Sequence, residues 1–212
     1  MESTVTQTSG KLRIKVIIGS TRPSRFSERP AQYIFEELCK IQEVETELVD
    51  LRDYPMPFFN SPVSPARGTG RYEDKIVQDW ADKISEGDAF IIVTPEYNHS
   101  FPSSLKRMLD SELQNYIHKP VAFAGVSNGI FGGARAIESL LPTVREMGMA
   151  VTFSDVYFPQ VQNLFNANSE INDSSYIKRI KRAYEELIWM AKALKWGREN
   201  VSSIYHKPKE NT

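Results

Sequence analysis

A single cysteine, Cys39, stands among 212 residues, so no disulfide can close within the chain and no cysteine cluster can hold zinc. That usage fits a reducing, cytoplasmic compartment. Neither sign of charge dominates: 26 Lys and Arg face 27 Asp and Glu, leaving a net charge of -1. Without a basic excess the chain has nothing with which to neutralise a nucleic-acid backbone or an anionic membrane surface, and neither partner is expected. No apolar run approaches the roughly 18 residues of a membrane-spanning helix. The stretch Met1 to Gly10 lacks the basic and apolar regions of a secretion signal, and residues 1–10 are expected to form a flexible tail. Histidines are scarce as well; His99, His118 and His206 lie far apart without ligand spacing, and no metal site is expected. The chain has neither the G-x-G-x-x-G run of dinucleotide folds nor the lysine of a phosphate-binding P-loop.

What is present is enough for a core. Hydrophobic residues make up 41% and charged residues 25%, the proportions of a soluble globular protein. The length predicts one domain, over residues 11–198, followed by a tail from Glu199 to Thr212. Leu12 to Gly19 begins half alternating and turns continuously apolar, as a strand entering a buried sheet does. Glu28 to Lys40 then reads as a helix, with Ile34, Phe35, Leu38 and Cys39 on its apolar face and Cys39 as a small core residue. A second strand near Val44–Leu51, a proline-rich stretch from Tyr54 to Arg71, and a helix carrying Tyr72, Ile76, Trp80 and Ile84 follow.

Ala89 to Val93 is the most buried-looking strand and ends at Pro95. Beyond it come a helix opened by Pro102, a strand Val121–Val126, a glycine-rich loop, and a helix from Ala134 to Met147 that Pro142 should kink. A fifth strand near Ala150–Phe153, a loop through Asn172 and a helix from Ser174 to about Trp196 complete the pattern. That last helix is expected to turn Ile177, Ile180, Tyr184, Leu187 and Leu194 inward, with Lys178, Arg179, Lys181 and Arg182 on a solvated face. Trp80, Trp189 and Trp196 read as packing residues. Strands alternating with helices require right-handed crossovers, so the fold class is α/β: a doubly wound, three-layer sandwich around a five-stranded parallel sheet.

In such a sheet ligands bind beyond the carboxyl ends of the strands. The three segments found there are unusual in composition. Gly19-Ser20-Thr21-Arg22-Pro23-Ser24-Arg25-Phe26-Ser27 offers hydroxyls, amides and two guanidiniums, a donor set suited to a phosphate monoester; the alternative is a helix cap. Thr94-Pro95-Glu96-Tyr97-Asn98-His99-Ser100-Phe101-Pro102 is stiffened by a proline near each end, so its main chain can meet a flat heteroaromatic edge while Tyr97 covers a face. Glu96 and Asn98 can equally be structural, with Asn98 or Ser100 capping the next helix. Gly125 to Arg135 carries glycines 125, 129, 132 and 133, which allow a flat ligand close to main chain or simply make turns.

With these loops the chain resembles the NADPH-dependent FMN reductase family of flavodoxin-like proteins, which includes soluble quinone, azo-dye and chromate reductases. The resemblance runs from about Leu12 to Met149 and is carried by Gly19-Ser20-Thr21-Arg22, by Pro95-Glu96-Tyr97-Asn98 with Ser100, Pro102 and Leu105-Lys106, and by Gly132-Gly133-Ala134-Arg135-Ala136. It implies the sheet order 2-1-3-4-5 and bound FMN. Ser20, Arg22 and Ser27 would hold the phosphate with Arg25 and Phe26 nearby. Pro95, Glu96, Tyr97 and Asn98 would line the ring, and Ser127, Asn128 and Gly129 would complete its pocket. Where many members read Lys-Asn-Ala-Ile-Asp-Trp, this chain has Lys106-Arg107-Met108-Leu109-Asp110-Ser111, on a helix the family uses for dimerisation.

The implied activity is ping-pong transfer of hydride from NADPH or NADH through FMN to a quinone, free flavin or another planar acceptor. No separate catalytic residue is required. A homodimer is implied, with tetramers left open, in which residues 54–71 close over a neighbour's flavin. Two rivals remain: a flavodoxin-like electron carrier, which would be more acidic, and a flavin-loaded module whose redox state changes its grip on a protein.

Overall fold

The computed structural model describes residues 10–166, 170–171 and 173–205. Its elements alternate as β1 (Leu12–Ile18), α1 (Glu28–Cys39), β2 (Val44–Asp50), α2 (Lys75–Glu86), β3 (Ala89–Pro95), α3 (Ser103–Asp110), β4 (Pro120–Val126), α4 (Ala134–Glu146), β5 (Ala150–Val151), β6 (Val156–Phe158) and α5 (Ser174–Asn200). Every strand pairing is parallel, in the order β2-β1-β3-β4-β5, with β6 also on β4. This is the flavodoxin-like order implied by the resemblance.

Side chains leave a strand alternately to its two faces, and both faces here are apolar. Ile14, Val16, Ile18, Ile91, Val93, Ala122 and Ala124 meet α1 and α5, whereas Ile17, Phe90, Ile92, Val121 and Phe123 meet α2, α3 and α4. Helices must therefore cover both sides, and their N-termini gather at one end of the sheet. At the opposite end Asp88 accepts hydrogen bonds from the Arg13 amide, Lys195 and Arg198, which moors the end of α5. Beside it Lys119 is buried and donates to the carbonyls of Ile84 and Ser85; burial and the nearby Arg198 charge push its ammonium down to about 7.

Four expectations need correction. The fifth strand is split: β5 ends at Val151, Phe153 is 86% exposed, and pairing with β4 resumes at Val156–Phe158, within the segment expected to be loop. Cys39 is exposed, because Ala31, Ile34 and Leu38 carry the buried face of α1 and Cys39 lies about 100° round the helix from Leu38. In α5 it is Tyr176 that turns inward, stacking on Phe158 at 5.4 Å, and its neighbour Ile177 is exposed. Trp80 is fully buried and donates to the Tyr116 hydroxyl at 3.1 Å, but Trp189 is 67% exposed and Trp196 47%, so neither is a core packing residue. The tail expected at 1–10 lies outside the described residues except for Gly10, as do residues 206–212 of the C-terminal one. Glu199 and Asn200 belong to α5.

One close approach fixes how α4 meets the sheet. Gly133, with φ of 84°, begins that helix, and a Cβ there would lie 2.4 Å from the Val126 nitrogen. Gly133→Ala combines a left-handed backbone with overpacking and should cost about 2–5 kcal/mol, read as a lower denaturation midpoint at unchanged slope.

Candidate functional site

The segment after β1 leaves the sheet at Gly19, whose amide donates to the Val93 carbonyl at 2.8 Å. It is then folded around a buried guanidinium. Arg25 donates to the Ser20 carbonyl and, through both terminal nitrogens, to the Asp50 carboxylate at 2.8 and 2.5 Å. Arg52 grips the same carboxylate from outside at 2.7 Å. Burial alone would raise the Asp50 carboxyl, but the bonds from Arg25 and Arg52 hold it well below the usual carboxylate range. Arg25 thus supports the loop from within. Its neighbour Arg22 is exposed, and among the described residues it has no carboxylate within ion-pair distance. Ser27 is buried at the start of α1, yet its hydroxyl makes no capping bond and has no hydrogen-bond partner. The helix-cap alternative for this residue is not what the structure has.

The loop after β3 is a hairpin built on Asn98 and His99, both in the left-handed region with φ of 50° and 67°. Tyr97 and Ser100 exchange both backbone bonds across it, at 2.8 and 3.1 Å, the arrangement of a type I′ turn. Asn98 therefore makes the turn; Pro102, not Asn98 or Ser100, occupies the cap position of α3. The turn sends the Tyr97 hydroxyl across to the Ser20 hydroxyl at 2.9 Å, joining the first two loops. Glu96 is held through its amide on the Val126 carbonyl at 3.1 Å and through one carboxylate oxygen on Arg135. The other oxygen is buried without a partner.

The loop after β4 is pinned by the chain that follows β6. Ser127 donates to the Phe158 carbonyl, Val161 to the Ser127 carbonyl and Gln160 to the Gly129 carbonyl, at 3.1, 3.2 and 3.0 Å. Ile130 and Phe131 stand out from its tip, with Arg135 stacked on the Phe131 ring at 4.5 Å.

The three loops enclose one cavity of about 200 Å³, at the carboxyl end of the sheet. Arg22, Arg25, Phe26 and Ser27 line it from the first loop, Pro95, Glu96 and Tyr97 from the second, and Ser127 and Asn128 from the third. Ser20 joins through its bond to Tyr97, while Asn98 and Gly129 shape the loops without lining the cavity. Ser24, Val126 and Val161 also line it, beyond the residues the sequence singles out. Ser24 is left-handed, with φ of 52°, which nothing in its neighbours signals, and Val161 follows the strand segment that sequence reading left as loop. An unpaired guanidinium and an orphaned hydroxyl fit a phosphate ester, and the main chain of two loops fits the edge of a flat ring.

A family model described as NADPH-dependent FMN reductase matches residues 12–163. The NAD(P)H-dependent FMN reductase of Schizosaccharomyces pombe is 29% identical over 179 residues, which cover 82% of this chain and 88% of the yeast protein. A quinone reductase of Escherichia coli is 33% identical over 131 residues, 60% of this chain and 66% of its own. Among solved structures, the flavoenzyme NAD(P)H:(acceptor) oxidoreductase of Paracoccus denitrificans shares the fold with a TM-score of 0.69 at 23% identity, over 85% of this chain and 98% of that one.

The Asp50 pair carries a pH dependence with a definite sign. A carboxyl whose folded pKa is depressed contributes stability above its unfolded pKa of about 3.9 and loses it as the pH falls through the folded value. Asp50→Asn should cost about 3 kcal/mol at pH 7, by stranding the buried Arg25 charge, and should flatten the decline of stability below about pH 4. Urea titrations of both proteins at several pH values measure this.

Proposed function

The chain belongs to the NADPH-dependent FMN reductase family, and on that footing we propose that it holds FMN in the three-loop cavity and transfers reducing equivalents from NAD(P)H to a planar acceptor such as a quinone. One observation carries the assignment to this cavity. An arginine without a carboxylate partner and a buried serine hydroxyl without a hydrogen-bond partner, Arg22 and Ser27, line the same walls. Both are donors, and a phosphate monoester supplies the acceptors they lack.

When bound, FMN supplies hydride acceptance and donation; the protein holds it and controls what reaches it. Arg22 and Ser27 bind the phosphate, with Ser20 and Tyr97 bracing the loop around it. Pro95 to Tyr97 and Ser127 to Asn128 meet the ring edge, and Glu96 offers its unpartnered oxygen to a donor there. A cavity of about 200 Å³ is below the roughly 300–1,000 Å³ of pockets that enclose a drug-sized ligand, so it would enclose only part of the flavin and leave the rest open to solvent. Phe26, on the cavity wall, and Phe131, at the tip of the loop after β4, are exposed apolar surface. An open face serves the nicotinamide and the acceptor in turn, which gives ping-pong kinetics and a broad range of flat acceptors. The enzyme works in the cytoplasm as a homodimer, covering the exposed Phe58, Phe59 and Val63 of the irregular segment after β2.

The purified protein, loaded with FMN, should bleach on addition of NADPH and recover its visible absorption with a quinone. Initial rates should give parallel lines in double-reciprocal plots. Arg22→Ala should weaken FMN binding by about 10- to 100-fold, as loss of a charge-assisted bond worth about 1.5–3 kcal/mol implies, measured by quenching of flavin fluorescence. Unchanged affinity in Arg22→Ala and Ser27→Ala alike would place the flavin elsewhere.

A further inference from the structure

The outer face of α5 carries a hole and a knob on one line. The hole is a groove of about 390 Å³ between this helix and the turn from α1 into β2. Ile41 lines it from the turn, and Tyr184, Ile188 and Trp189 line it from the helix. The charges at its edge are spent on one another, Lys192 on Glu43 at 2.8 Å and Lys181 on Glu185 at 3.7 Å. The groove therefore presents apolar surface inside a compensated rim, which selects an uncharged apolar occupant over an ionic one.

The knob is Trp196. Seven residues separate it from Trp189, so the two side chains leave the helix within about 20° of the same direction and about 10 Å apart along its axis. Both are exposed. The cations nearest Trp196 in the sequence, Lys195 and Arg198, are drawn away to Asp88 at 2.9 and 3.3 Å. Ala193, nearly one turn before it, is small and exposed and leaves the approach to the ring open. A helix that bears a hole and a knob on one face is self-complementary. When two copies of α5 lie antiparallel about a twofold axis passing near Lys192, Trp196 of each comes opposite the Glu185–Trp189 stretch of the other, and one contact is made twice. Four indoles then share one seam, and tryptophan is among the residues that dominate interface energy.

We infer that the occupant of the groove is a second copy of this chain, joined through an isologous α5–α5 contact in which each Trp196 fills the other's groove. The flavin reading is not needed for it. The contact lies on the layer of α1 and α5, whereas Tyr54 and Met56 of the irregular segment after β2 pack on the opposite layer. It therefore adds copies to a pair formed through residues 54–71 and does not compete with that pair.

Light scattering on the eluting protein across a concentration series measures the mass. At the highest concentration the wild type should reach twice the mass of Trp196→Glu. That substitution should weaken the association by about 30-fold or more, as removal of one hot-spot tryptophan does, with far-UV circular dichroism unchanged. A second test leaves both tryptophans in place. In a Cys39→Ser background, Ala193→Cys lies close to the axis and should be joined to its mate by a short bismaleimide. Arg179→Cys, about 40 Å from its mate in this arrangement, should not. Equal masses for the wild type and Trp196→Glu overturn the inference, as does cross-linking at Ala193→Cys no greater than at Arg179→Cys. So does wild-type protein that sediments with phosphatidylglycerol vesicles while its mass stays that of Trp196→Glu, since a lipid surface would then be the occupant. Should Trp196→Glu disturb the helix, the cross-link alone decides.

Discussion

The Arg25 guanidinium, buried beneath the loop after β1, is the contact on which the rest of the site depends. It is bonded at once to the Ser20 carbonyl and to the carboxylate that ends β2. A charge taken out of water persists only when it is paired, and the Asp50 carboxylate held by both terminal nitrogens fixes how the loop wraps it. That wrapping presents Arg22 outward and leaves the Ser27 hydroxyl inside the cavity without a partner. Two arginines three residues apart thus do opposite work. One has its charge cancelled to fix a shape, and the other carries its charge uncompensated on the cavity wall. Asp50 connects this arrangement to the sheet, because Asp50 is also paired in register with Ile18, the residue just before the loop begins.

The same division recurs around the site. Arg52 is tied up with Asp50 and Glu28, and Arg135 with Glu96, whereas among the described residues Arg22 and Arg107 have no carboxylate within ion-pair distance. A chain of almost zero net charge can therefore still offer local positive potential, because the balance is struck pair by pair and leaves the Arg22 guanidinium on the cavity wall uncompensated. Overall charge argues about solubility and non-specific partners; it does not predict what a pocket will hold.

Much of this was legible in the sequence. Continuous apolar runs at Val16–Ile18 and Ala89–Val93 read as strands buried on both faces, and once they are parallel their loops must emerge at the same end. The three loops were found by that logic, together with most residues of the cavity. What was not legible has specific causes. The pair of residues around Phe153 looked like the continuation of a strand, but hydrogen bonding to β4 breaks there and resumes at Val156, a choice made by backbone register that side-chain type does not encode. Cys39 and Trp189 were assigned to packing by residue type and approximate spacing, and one step of about 100° along a helix separates core from solvent. Composition shows two arginines in the loop after β1, and only the position of Asp50 tells the buried one from the exposed one.

The split edge strand has a consequence for the site. Phe158, Gln160 and Val161 supply the backbone partners that hold Ser127 and Gly129 in place, so the loop after β4 is shaped by chain that arrives only after the break. Gly132 is caught between these layers, where a Cβ would lie 2.9 Å from that of Tyr157. Loops one and two are joined to each other by the Ser20–Tyr97 hydroxyl pair, and loop two to loop three by Glu96 on Arg135 and on the Val126 carbonyl. Each connection is a single hydrogen bond or ion pair, worth about 1–3 kcal/mol at most. None would hold its loop alone; they close into a circuit with the Arg25 clamp and the β6 pins, while Ile130 stands exposed at the tip of the loop after β4 and Phe131 beside it is held by Arg135. A site made in this way is held from several sides along its walls and left open at the exposed tip of the loop after β4.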